Sequence, residues 1–114
     1  MHVGPVPNNH AYWGISDSDL AVFKTKRNQG FDEFAHLTGW GKWKGDYRLM
    51  EVWAFFHKTG KVFVWTFVKS GLHHNRVMIG WMEFLSTEGL QSFLDSWGVT
   101  LGKKEKIEKV LDSF

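Results

Sequence analysis

Val62-Phe63-Val64-Trp65-Thr66-Phe67-Val68 lies near the centre of an apolar region running from Tyr47 to Phe84. In an extended chain Val62, Val64, Thr66 and Val68 fall on one side, and Phe63, Trp65 and Phe67 on the other. The run holds only β-branched and aromatic residues, with no glycine, proline or charge to interrupt it. A strand apolar on both faces predicts a central strand covered on both sides. The rest of the chain must therefore supply neighbouring strands and two covering layers.

The flanking segments supply the neighbours. Tyr47 to His57 reads as a strand, Lys58-Thr-Gly-Lys61 as a hairpin turn, and Val77 to Phe84 as a third strand in which Gly80 marks a bulge or a point of close approach. Lys69 to Arg76 is a polar connection. Consecutive strands with short links predict an antiparallel β-meander of three to four strands.

Helices are predicted at both ends. Ser16-Asp-Ser-Asp19 is a cluster of N-cap residues ahead of Leu20 and Phe23, and a helix over Asp17–Asn28 closed by Gly30 follows. Phe31, Phe34 and Leu37 extend the helical spacing by another turn or two. Ser86 or Thr87 opens a second helix with Leu90, Phe93, Leu94 and Trp97 on its apolar face, stopped at Gly98. Ile107, Val110, Leu111 and Phe114 repeat that spacing, with Glu105 and Lys109 placed for an i, i+4 pair. The fold class is therefore α+β: a small meander with an N-terminal helical segment on one side and two C-terminal amphipathic helices on the other. At 114 residues the chain reads as a single domain, with residues 1–10 as an extended arm and Ala11–Ile15 as a short strand.

Composition narrows the chemistry. The absence of cysteine removes disulfides, thiolate zinc sites and cysteine nucleophiles. With no charged-then-apolar leader and no apolar run of membrane-spanning length, the expectation is a soluble, cytoplasmic protein. No Walker A loop or dinucleotide fingerprint is present, so no cofactor is expected. The net charge of +2 hides a segregation: residues 24–76 carry ten basic against four acidic side chains, while both flanks are acidic.

Within the basic middle, Gly39-Trp-Gly-Lys-Trp-Lys-Gly45 reads as a glycine-rich loop bearing Trp40, Lys42, Trp43 and Lys44. Indoles beside ammonium groups suit sequence-tolerant binding of single strands, where bases stack on rings and lysines neutralise phosphates. Lys24, Lys26 and Arg27, expected to lie with the loop, extend that surface, as do Arg48, Lys58 and Lys61. Exposed aromatics on a loop equally suit a protein partner. Two readings thus stand: a non-catalytic protein contacting nucleic acid or a nucleic-acid-handling assembly, and a protein-binding inhibitor or adaptor using the same loop. Small cysteine-free chains of the second kind are common in phages and mobile elements, an analogy of size and style. An uncovered sheet edge or the last helix also offers a homodimer contact.

A third reading is enzymatic. Lys69, His73, His74 and Arg76 share the connection after the central strand, with His57 one strand away. A ribonuclease using the 2′-hydroxyl needs a base, an acid and a cation, which these side chains can supply. Gly45–Arg76 loosely resembles the small RelE-type mRNA-cleaving toxins, which set basic and histidine residues on a compact sheet. As metal ligands the histidines are poor, because adjacent side chains on an extended chain point opposite ways. Glu51 and Glu83 are expected on the solvent side of their strands, without partners.

Overall fold

The computed structural model describes residues 16–69, 76–97 and 103–113. The elements are α1 (Asp17–Asn28), β1 (Phe31–Trp43), β2 (Asp46–His57), β3 (Val62–Lys69), β4 (Arg76–Phe84), α2 (Thr87–Ser96), β5 (Glu105–Lys106) and α3 (Ile107–Asp112). The strands form one antiparallel sheet in the order β4-β3-β2-β1-β5. The fold is α+β, as expected, with five strands rather than three or four. The arm of residues 1–10, the strand at Ala11–Ile15, the stop at Gly98 and the end of the last helix at Phe114 lie outside the described residues.

The additional long strand is β1, where two expectations are corrected. Phe31 to Leu37 is strand, not helix, and the loop assigned to Gly39–Gly45 is largely the continuation of that strand. The helix-like spacing of Phe31 and Phe34 has a local cause. Pairing slips at Asp32, so Phe31 faces His57 while Glu33 faces Phe56. The extra residue turns Phe31 onto the face of Phe34, and both join one core cluster. The chain reverses at Lys44 and Gly45, whose φ values of 51° and 84° are both positive, as a two-residue hairpin turn matched to sheet twist requires.

Period-two alternation sorts the sheet into two cores. Phe34, Trp53, Phe55, Trp65 and Phe67 face one side, where Phe23 of α1 and Ile107 and Val110 of α3 cover them. Ala35, Leu37, Val52, Ala54, Val62 and Val64 face the other, under Leu90 and Leu94 of α2. Both faces of β3 are covered, as its composition predicts. The partition of the helices differs from expectation, because α3 shares the face of α1 and is tied to it by an Arg27–Glu108 ion pair of 3.3 Å. The expected Glu105–Lys109 pair forms at 3.4 Å.

Local chemistry fixes the ends of α1. The Ser16 hydroxyl accepts from the Asp19 backbone N–H at 3.2 Å, and the Asp19 carboxylate accepts from the Ser16 N–H at 3.1 Å, a reciprocal capping box. Gly30 closes the helix at φ +97°, with a Cβ at this position falling 2.6 Å from His57 Nε2. In β4 the pairing slips beside Gly80, the bulge being the one of its two expected roles that the structure shows, and the Gly80 carbonyl accepts from the Thr66 hydroxyl at 3.1 Å.

Gly41 couples the β1–β2 hairpin to α2. A Cβ on Gly41 would collide with the Trp97 carbonyl oxygen at the end of α2, a backbone atom that a side-chain rotation cannot move aside. Gly41→Ala is therefore expected to cost about 1–3 kcal/mol as overpacking. Urea denaturation would show this as a lowered midpoint with an unchanged slope.

Candidate nucleic-acid interface

The hairpin end of β1 and β2 carries the exposed aromatic groups. Trp40 is 62% exposed and Tyr47 66% exposed. Lys42 lies directly across from Tyr47, and Trp40 across from Leu49, so all four side chains belong to one face of the sheet. Tyr47 is thus a diagonal neighbour of Trp40, within reach of a large ring. Leu49 in turn pairs with Lys69 at the end of β3, which extends the same row by one strand. Lys42 and Lys69 make no ion pair with any described residue. The surface so assembled is two rings flanked by two free ammonium groups.

The opposite face of the hairpin differs. Trp43 is half-buried and Lys44 places its Nζ 4.6 Å from the Trp43 ring centroid, so these two residues satisfy each other. Arg48 is exposed and lies 3.7 Å from Asp46. Of the residues singled out by sequence, Trp40 and Lys42 therefore face one way and Trp43 and Arg48 the other. Tyr47, at the start of β2, has nothing in its immediate sequence to mark it as exposed. The alternation of small Gly39 and Gly41 against Trp40 and Lys42 was the available signal for a two-faced strand.

The remaining basic residues lie elsewhere. α1 ends against the β2–β3 turn, where Gln29 O and His57 Nε2 are 3.0 Å apart and the Lys58 N–H donates to Gly30 O. That turn lies at the opposite end of β2 from Tyr47, about 30–35 Å away at the usual strand rise. Lys24, Lys26 and Arg27 therefore do not lie with the aromatic hairpin. Lys24 and Lys58 are exposed, Arg27 pairs with Glu108, and Lys61 pairs with Glu83 at 3.0 Å. Lys26 is buried, and the burial lowers its pKa below the usual lysine value, with the charge of Glu83 opposing that shift.

The enzymatic constellation is only partly placed. His73 and His74 lie outside the described residues, as does the Arg76 side chain. His57 sits at the start of the β2–β3 turn and Lys69 at the far end of β3, so His57 cannot join Lys69 in one site. Among the described residues no group of three or more His, Asp or Glu side chains could hold a metal ion. Glu51 departs from expectation: it is buried, and its Oε2 lies 2.6 Å from His36 Nε2. The His36 ring stacks on Trp53 at 3.9 Å between centroids. Glu83 has its partner in Lys61. Among the described residues no helix is long and apolar enough to cross a membrane.

No family model, no curated protein and no solved structure matches this chain.

Proposed function

We propose that this protein is a non-catalytic binder of single-stranded nucleic acid, acting through the Trp40–Tyr47 face of the β1–β2 hairpin. The observation that carries the reading is the juxtaposition of two exposed rings with Lys42 directly across from one of them. Stacking requires bases freed from pairing, so a single strand, not a duplex, fits the rings. Lys42 and Lys69 lie on the same face as the rings, placed to meet phosphates of the bound strand. The carboxylates at this end do not compete for that role, because Asp46 accompanies Arg48 and Glu51 is buried against His36. Nothing here distinguishes one base from another, so the binding is sequence-tolerant.

Fluorescence titration with single-stranded DNA and RNA oligonucleotides at two salt concentrations tests this. Two phosphate contacts predict a slope of log affinity on log salt of roughly −1.4 for single strands. Lys42→Ala is expected to reduce that slope by about 0.7 and to weaken binding to all sequences alike. A slope unchanged in Lys42→Ala would remove Lys42 from the interface.

A second reading is a protein-binding inhibitor or adaptor. Met78 favours it, since this apolar side chain is exposed on the edge strand β4 and in register with Phe67 on the hairpin's aromatic face. It predicts a complex with a protein that survives salt, together with no saturable oligonucleotide binding.

A further inference from the structure

A second site lies at the other end of the sheet, around Lys26. This side chain is only 8% exposed. Its Nζ sits 3.4 Å from the Phe63 ring centroid and donates to Gln29 Oε1 at 3.2 Å. No carboxylate of the described residues lies within ion-pair distance of it; the nearby Glu83 is bound to Lys61. An ammonium has three donors, and one neutral acceptor uses one of them. The fold thus holds a buried lysine whose ammonium is met by aromatic faces and one neutral acceptor, with the Glu83 charge at longer range, an arrangement that an incoming anion would stabilise.

The space beside it suits an anion with an apolar body. A cleft of about 390 Å³ opens next to Lys26 between α1 and the strands, walled by Ala21, Val22, Phe63 and Trp81. Trp81 is partly exposed, and its ring lies parallel to that of Trp65, with 5.0 Å between centroids. That neighbour holds the indole in place as a wall of the cleft. A bare inorganic anion would lose its hydration against these walls, whereas a flat hydrocarbon would gain by covering them. The volume falls within the range of small-molecule sites.

We propose that this cleft binds a small planar aromatic carboxylate, its carboxylate on the Lys26 ammonium and its ring against Trp81. The site is independent of the Trp40–Tyr47 face, so either can fail without the other.

Titration calorimetry with 2-naphthoate on the intact chain, with 2-naphthalenemethanol as the neutral control, tests the proposal. Saturable one-site binding of the acid is expected, weakened roughly 10- to 100-fold by Lys26→Met, which removes the charge-assisted hydrogen bonds. Lys24→Met, on the exposed part of the same helix, leaves binding unchanged. Should Lys26→Met fail to fold, Ala21→Phe narrows the cleft without touching Lys26 and is expected to block the acid. No saturable binding at millimolar naphthoate would overturn the proposal. Equal binding of acid and alcohol, or retention of binding in both Lys26→Met and Ala21→Phe, would overturn it as well.

Discussion

Phe23→Ala is expected to destabilise the protein by about 3–5 kcal/mol, the usual range for deleting a fully buried phenylalanine. Phe23 is the one fully buried hydrophobic side chain of α1, with Leu20 and Val22 packed more shallowly on the same cluster. It is completely buried, and its ring meets Phe34, Trp53 and Phe55 edge-on at centroid distances of 5.1, 5.3 and 5.3 Å. Each such pair adds to the area term, and the surrounding rings are too rigid to collapse into the space left behind. Domains of this size are stable by about 5–15 kcal/mol, so the loss is a large share of the total. Thermal unfolding should fall by roughly 12–25 °C. A decrease of only a few degrees would mean that α1 is docked chiefly by its partner α3.

Trp40→Ala and Tyr47→Ala should have the largest effects on binding. Aromatic stacking is worth about 1–3 kcal/mol per base, so each substitution is expected to weaken single-strand binding roughly 5- to 150-fold. Because both side chains are more than half exposed and neither belongs to a core cluster, the fold should be nearly unaffected. The salt slope should also stay the same, since no phosphate contact is lost. That combination separates stacking from charge. Loss of affinity together with a flattened slope would instead place these rings in a structural role for the neighbouring lysines. Phe substitutions at both positions retain a stacking surface and should recover most of the binding.

Parts of this architecture are legible without coordinates, for identifiable reasons. Val62–Val68 is unambiguous because both of its faces are apolar and its residues favour strands. α1 is legible to the residue because Ser16 and Asp19 form a capping box and Gly30 provides a left-handed stop. β1 is not, because two signals conflict. The bulge at Asp32 gives Phe31 and Phe34 a helical spacing, and glycines at 39 and 41 resemble a loop. Gly41 has a tertiary cause, the approach of the end of α2, which no local pattern discloses. The candidate site follows the same division. Trp40 and Lys42 stand out from composition, but their common face with Tyr47 and Lys69 depends on register. The withdrawal of Lys26 into an aromatic cleft depends on packing between α1 and β3.

The most direct measurement is a heteronuclear NMR titration of the indole N–H signals with a single-stranded oligonucleotide at about 150 mM salt, where exposed charges alone are largely screened. A saturable shift of the Trp40 indole and of the Tyr47 ring is expected, with the buried Trp53 and Trp65 signals nearly stationary. Absence of any shift at that salt concentration, or shifts confined to Trp81 in the Lys26 cleft, would contradict that expectation.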